Sequence, residues 1–307
     1  MQPAAPADDL SPSEQRLGRI LAVAAFLSWG LLPIYWKALG EVPATQILCH
    51  RIVWSAGFTG LVLTLTGRWS ETLAAVRQGR TAILLLVGSC LVSVNWLIYI
   101  WAVNNDHVLE SSLGYYLTPL VNATLGMVVL RERLRGLQMA AVGLAAVGVA
   151  NLVFAYGRFP WIALSLALTF GSYGLLRKKV QVKPIPGLFW ETLGVTLPAL
   201  VYLIWAEYAG LGAFGHAGTA TTLLLAGAGV VTALPLLWFA GAARRMRLTT
   251  LGLFQYIAPT CFFSLGVFVY GEPFTSAHAV TFGCIWAGIV LYTLSGLRAL
   301  RRIHPPS

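Results

Sequence analysis

The sequence predicts an all-α polytopic membrane protein with ten transmembrane helices in two inverted-topology five-helix repeats. Three observations carry that expectation: scarce charge, ten long apolar runs, and two halves that echo each other while their basic residues collect on one side. Of 307 residues, only 10% are Asp, Glu, Lys or Arg, and 57% are hydrophobic. Soluble domains carry about 25% charged residues. A chain this poor in charge cannot cover a water-facing surface of its own. A soluble α/β enzyme, a secreted disulfide scaffold and a disordered polypeptide are thereby excluded. Cys49, Cys90, Cys261 and Cys284 lie inside apolar runs without metal or redox spacing. They read as small buried apolar residues, and neither a metal nor a cofactor is implied.

Spanning a bilayer takes about 20 mostly apolar residues. Ten such runs lie at roughly 17–39, 45–66, 81–103, 108–130, 137–156, 159–177, 187–206, 220–243, 249–270 and 277–298. Residues 1–15, rich in Pro, Ala and polar groups, read as a disordered tail without the basic segment of a signal peptide. Two units follow: a first five-helix repeat over 16–157 and a second over 158–303.

The connectors set the orientation. With the N-terminus inside, eighteen basic residues fall in inner segments: Arg16, Arg19, Arg68, Arg77, Arg80, Arg131, Arg133, Arg135, Arg177, Lys178, Lys179, Lys183, Arg244, Arg245, Arg247, Arg298, Arg301 and Arg302. Only Lys37 and Arg158 fall outside, and Arg51 lies within the second span. The asymmetry follows the positive-inside rule and places both termini in the cytoplasm. The net charge of +10 is explained by these loops, without nucleic acid.

The halves match at an offset near 140. Ser28-Trp29-Gly30-Leu31-Leu32 corresponds to Ser172-Tyr173-Gly174-Leu175-Leu176. Tyr116, Pro119, Leu125, Gly126 and Glu132 correspond to Tyr256, Pro259, Leu265, Gly266 and Glu272. Because each half has five spans, the second enters from the opposite side. Inverted repeats suit alternating access, since one pattern can build either gate.

Polar and aromatic faces mark a candidate path. On the fourth span Ser112, Tyr115, Tyr116, Pro119, Asn122, Ala123 and Gly126 share one face by helical spacing, opposite Leu117, Val121, Leu125 and Val128. The ninth repeats this with Gly252, Gln255, Tyr256, Pro259, Phe263 and Gly266. The third aligns Asn95 and Tyr99; the sixth aligns Ser165, Thr169 and Ser172 next to Tyr173. Such residues also glue membrane helices together, but mid-span amides need a partner or a wet cavity. Pro119 and Pro259 each free a carbonyl one turn back and are expected hinges. Gly136, Ala140, Gly143, Val147 and Ala150 on the fifth span, with Gly283 and Ala287 on the tenth, form smooth faces for close packing within the bundle or in a homodimer.

Two charges interrupt apolar runs. Arg51 sits ~12 Å from the outer end of the second span and Glu191 ~7 Å from the inner end of the seventh. That difference in depth disfavours a direct pair. Arg51 instead needs Asn104, Asn105 or Glu110 as acceptors, or a substrate carboxylate; His50 and Trp54 beside it favour a packed structural clamp. Gating is the other expected role for these two charges.

At these residues the chain resembles the RarD family of the drug/metabolite transporter superfamily, with its EamA-type repeats. The strings are Cys49-His50-Arg51-Ile52-Val53-Trp54-Ser55, Asn95-Trp96-Leu97, Trp101-Ala102-Val103-Asn104-Asn105, Leu109-Glu110-Ser111-Ser112-Leu113-Gly114-Tyr115, and Ser264-Leu265-Gly266 leading to Tyr270-Gly271-Glu272. The resemblance runs from about Arg16 to Ile303. It implies ten helices, a plasma-membrane location, and a central cavity lined by the first, third, fourth, sixth, eighth and ninth spans. Relatives of known structure export amino acids and related metabolites through such a cavity. On the first and eighth spans the resemblance adds Trp29 and Trp238. The expected substrate contacts are thus Trp29, Asn95, Tyr99, Tyr115, Tyr116, Asn122, Tyr173, Trp238, Gln255 and Tyr256.

The function expected is secondary transport of small organic solutes, outward and without ATP, since no nucleotide-binding motif occurs. A membrane-embedded enzyme would need a nucleophile with its base, or a metal cluster, at depth, and neither H-E-x-x-H nor G-x-S-x-G is present. A sensor would bring a soluble output domain, for which the short connectors leave no room.

Overall fold

A computed structural model describes residues 11–77, 79–130, 136–157, 159–180, 182–246, 251 and 253–303. All regular structure among them is helical. The long helices are α1 (Pro12–Lys37), α2 (Ala44–Leu65), α4 (Gly79–Asn104), α5 (Val108–Leu130), α6 (Gly136–Tyr156), α7 (Trp161–Lys179), α8 (Pro184–Tyr208), α9 (Thr219–Ala243) and α11 (Ser276–Ile303). Two short ones are α3 (Trp69–Ala75) and α10 (Ile257–Ser264), the latter continuing into a π-helical turn, Leu265–Val269. Over the described residues, seven of the long helices, α1, α2, α4, α6, α8, α9 and α11, are long and apolar enough to cross a membrane. α5 and α7 span 23 and 19 residues.

Local chemistry explains the boundaries. α1 begins at Pro12 rather than after residue 15: Ser11 caps it by accepting the Glu14 N–H, and Pro12 occupies the first turn, where its missing donor costs nothing. The expected disordered tail is therefore shortened; residues 1–10 lie outside the described residues. Asp106 closes the tight α4–α5 turn at φ 61°, a conformation Asp tolerates better than most residues. Gly218 starts α9 at φ 94°, where a side chain would be strained.

The ninth span departs from a continuous helix. Gln255 and Tyr256 form a turn, and α10 starts only at Ile257. Pro259 has no N–H for the Gln255 carbonyl and its ring crowds that turn. Pro119 lies inside an unbroken α5. The expected pair of symmetric kinks is thus a break at one proline only. Gly252, expected on the same face, lies outside the described residues, as does Glu132, the expected counterpart of Glu272.

The helices pack in a defined order. α2 lies against α8 and α9, α1 against α9 and α10, α4 against α7 and α8, and α5 against α7 and α10. α6 and α11 pair with each other and join the rest mainly through α5. Their contact uses Gly148 against Thr281 and Cys284, and Gly288 against Ala141. Asn151 donates to the Ala277 carbonyl, and Thr281 to that of Gly148. Gly136, Ala140, Gly143, Val147, Gly283 and Ala287, expected to pack closely within the bundle or in a homodimer, make no close contact within the bundle and are exposed on the single chain. The small residues one step round each helix make the contact. Of the cysteines, Cys90 is exposed and Cys49 buried, and all four are free thiols. The expectation of four buried cysteines fails at Cys90, which lies on an outward face of α4.

The two ends of the bundle are tied differently. At one end Lys37 pairs with Asp106, and Glu272 accepts the Val108 and Leu109 N–H groups at 2.6 and 2.7 Å. There Gln46 donates to the Leu211 carbonyl at 2.7 Å and accepts the Ala213 N–H. At the other end α3 docks on α8 through Trp69 against Phe189 and the Trp190 indole N–H to the Thr72 carbonyl. Lys183 and Arg68 share Glu71, at 2.8 and 3.1 Å. These cations, Lys183 foremost, hold the Glu71 carboxyl below the usual range.

Candidate functional site

Six helices contribute to one polar and aromatic cluster around Arg51. This residue projects from α2 about two turns after its start at Ala44 and is 4% exposed. Its guanidinium lies 3.9 Å from the Trp96 ring centroid on α4 and 5.1 Å from that of Trp36 on α1. Tyr99 and Tyr115 are close enough to feel its charge. Tyr99 stacks on Phe262 of α10 with centroids 5.3 Å apart, and Tyr115 meets Phe262 edge-on at 5.6 Å. Cation–π contacts of a desolvated guanidinium contribute about 2 kcal/mol. That offsets only part of the cost of a charge at membrane depth, ~2.5–3.5 kcal/mol on insertion scales.

Asn95 organises the side of the cluster facing α7. It is 1% exposed. Its amide donates to the Leu166 carbonyl at 3.1 Å and to the Thr169 hydroxyl at 2.9 Å, and its carbonyl accepts the Tyr115 hydroxyl at 3.0 Å. Asn95 thus fixes the Tyr115 ring between α4 and α5. Helical spacing on α4 puts Asn95, Trp96 and Tyr99 within about one turn, so one short segment supplies an amide, a cation platform and a phenol.

Several polar atoms of this region have no partner. The Arg51 Nε and Nη1, the Ser55 Oγ one turn further along α2, the Trp36 Nε1 and the Tyr99 hydroxyl are all buried and unpaired. Buried donors without acceptors are rare in folded proteins and call for an explanation. The acceptors expected for a structural clamp are absent. Asn105 donates to the Trp101 carbonyl, Glu110 lies 3.8 Å from His107, and both side-chain atoms of Asn104 are themselves unpaired. All three side chains belong to the α4–α5 corner.

A second group surrounds Glu191 on α8, 2% exposed. Tyr173 donates to its carboxylate at 3.0 Å and Arg177 at 3.4 Å, both from α7. Gly88 of α4 packs against the same carboxylate, where a Cβ would come within 3.4 Å. Glu191 thus pairs with Arg177 and not with Arg51, as the depth difference led one to expect. Counting Arg177 with the loop bases concealed this role; its spacing of four from Tyr173 was the available signal.

The remaining expected contacts divide. Tyr116 points away from Tyr115, bonding the Thr260 hydroxyl at 2.6 Å and stacking on Tyr256 amid Phe282 and Trp286. Adjacent helical residues diverge by about 100°, so the two tyrosines serve different clusters. Trp29 packs with Phe26 and Phe239. Asn122 is exposed, its Oδ1 over Gly171 and Gly174 of α7. Gln255 is exposed in the turn before α10, and Trp238 is half-buried on α9. Of the expected contacts, Asn95, Tyr99 and Tyr115 gather with Arg51, while Tyr116 and Tyr256 meet each other in a separate cluster. The contacts of Trp36 and Trp96 with Arg51 come from neighbouring helices, a relation that helical spacing cannot reveal. Beside the cluster, a cavity of about 340 Å3 lies between α2 and the α8–α9 connector, lined by Gln46, His50, Leu203, Glu207, Ala213 and Phe214.

Known proteins agree with this architecture. Residues 16–154 match the EamA-like transporter family. An uncharacterized transporter of Vibrio cholerae is 48% identical over 292 residues, 94% of this chain and 97% of that protein. Protein RarD of Streptomyces exfoliatus is 43% identical over 290 residues, covering 94% and 92%. Protein RarD of Escherichia coli is 41% identical over 293 residues, covering 95% and 99%. A crystal structure 19% identical shares the fold, with a TM-score of 0.59 over 91% of this chain and 98% of that one. With apolar spanning helices and relatives of this similarity along nearly its whole length, the chain is an integral membrane transporter belonging to the RarD family of the EamA-type superfamily.

Proposed function

We propose that the chain is a secondary transporter of small organic solutes, exporting them across the plasma membrane by alternating access. In this reading ten spans form two inverted five-helix repeats, both termini are cytoplasmic, and the path runs through the Arg51 cluster. One observation carries the reading. Gly229 of α9 packs on the α2 backbone so closely that a Cβ would lie 2.3 Å from the Trp54 carbonyl carbon. The positions related to Trp54 and Gly229 by the repeat offset of 140 are Gly194 of α8 and Ser89 of α4, where a Cβ on Gly194 would likewise come within 3.3 Å of the Ser89 Oγ. The helix pairings follow the same exchange: α1 with α9 mirrors α7 with α4, and α1 with α10 mirrors α7 with α5. Two such equivalent seams let one half rock against the other while a site between them faces each side in turn.

The test is solute flux in proteoliposomes containing the purified protein, with a panel of amino acids, organic acids and uncharged aromatic solutes. Gradient-driven counterflow of at least one solute above protein-free vesicles is expected. Inverted membrane vesicles should accumulate that solute and right-side-out vesicles should lose it. Absence of flux for the whole panel from a folded protein overturns the proposal.

A further inference from the structure

We propose that Arg51 is the docking point for the carboxylate of an organic anion, and that the transported solutes are aromatic or amphipathic monocarboxylates. This rests on the transport reading above and names its substrate class. The starting point is the guanidinium, 4% exposed yet with Nε and Nη1 unpaired. Its neighbours supply rings rather than acceptors: Trp96 at 3.9 Å and Trp36 at 5.1 Å.

Acidic side chains that could neutralise it are engaged elsewhere. Glu191 holds Arg177 and Tyr173, Glu272 the amides of Val108 and Leu109, Asp106 pairs with Lys37, and Glu71 with Lys183 and Arg68. Glu110 and Glu207 face His107 and His216.

The other unpaired atoms point to the same chemistry. The Trp36 Nε1 can only donate, and the hydroxyls of Ser55 and Tyr99 can donate too. A group of donors around a fixed positive charge selects a partner that only accepts and carries negative charge. Among such partners a carboxylate matches the planar guanidinium, and the rings of Trp36, Trp96, Tyr99 and Phe262 suit an apolar or aromatic body. With no acidic side chain among the described residues at the cluster to receive an ammonium group, an anion is preferred over a zwitterion.

The experiment uses the purified full chain in detergent, read by its intrinsic tryptophan fluorescence, because Trp36 and Trp96 flank the charge. The probes are 3-phenylpropionate, its uncharged amide 3-phenylpropanamide, the zwitterion phenylalanine, and chloride and phosphate. The acid should bind about tenfold or more tighter than the amide, as loss of a charge-assisted hydrogen bond predicts, and tighter than phenylalanine. Arg51→Gln should abolish the difference between acid and amide. Equal binding of acid and amide, equal binding of phenylalanine, equal competition by chloride or phosphate, or no binding of any probe each overturns the assignment. Should Arg51→Gln fail to fold, the acid and amide compared on the unaltered protein still decide. Flux of uncharged solutes without any preference for acids would leave transport standing and remove this inference. Tight carboxylate binding without flux of any solute would do the reverse.

Discussion

The Tyr173 hydroxyl donates to the Glu191 carboxylate at 3.0 Å, joining α7 to α8 at the position that repeat symmetry relates to Arg51. The same offset of 140 thus places an unpaired cation in one half and a paired anion in the other. The first has its Nε and Nη1 without acceptors; the second is held by Tyr173 and Arg177.

Glu191 and its partners should therefore carry stability. Tyr173→Phe removes one of two donors to a buried carboxylate and should cost about 1.5–3 kcal/mol. Arg177→Gln leaves that carboxylate without its cation and should cost more, on the order of 3–5 kcal/mol before discounting for the partial exposure of Arg177. Melting in detergent should rank the variants in that order. Equal melting of both variants and the parent would show the group to be idle.

Close packing of α2 on α9 gives a sharper contrast. Gly229→Ala places a methyl on the Trp54 backbone and should destabilise by about 1–3 kcal/mol or more. Gly283→Ala meets nothing within 4 Å and should be neutral or stabilise by up to ~1 kcal/mol through helix propensity. Paired melting curves check both. A destabilised Gly283→Ala would mean that its exposed face on α11 is covered by another chain.

Orientation is tested by single cysteines in a background lacking the four native ones, Cys90 above all because it is exposed. Asn105→Cys and Ala217→Cys, both exposed at one end of the bundle, should react with an impermeant maleimide in intact cells. Gly79→Cys at the other end should react only after lysis. The opposite pattern would invert the topology and remove the inward-to-outward direction of transport.

Glu272 makes a pH-dependent contribution. Burial raises its carboxyl above the ordinary range, the Val108 and Leu109 amides opposing that only in part. The folded protein therefore binds this proton more readily than the unfolded chain, and stability from this group falls as pH rises through the window above the usual Glu value. Relative to Glu272→Gln, the parent should melt comparatively higher at pH 5 than at pH 7.5. A difference between the two proteins that is the same at both pH values would rule this out.

Composition and the ten long apolar runs together determined that this is a helical membrane protein: a chain with 10% charged residues has no other solvent to fold in, and runs of about 20 apolar residues span it as helices. Helical spacing placed Asn95 and Tyr99 on one face and put Tyr115 on a polar stripe, since that information is local to one helix. Which stripes meet is not local. Tyr115 turned to Asn95 while its neighbour Tyr116 turned to Thr260, and only the packing of α4, α5, α7 and α10 separates them. The break at Gln255, with Pro119 left inside an unbroken α5, likewise depends on what surrounds each proline. Arg51 shows the division most clearly. Sequence marked it as a charge that must be answered; tertiary structure decided that its neighbours are the rings of Trp36 and Trp96 and, among the described residues, no carboxylate, because the partners of a buried charge come from helices far apart in the chain.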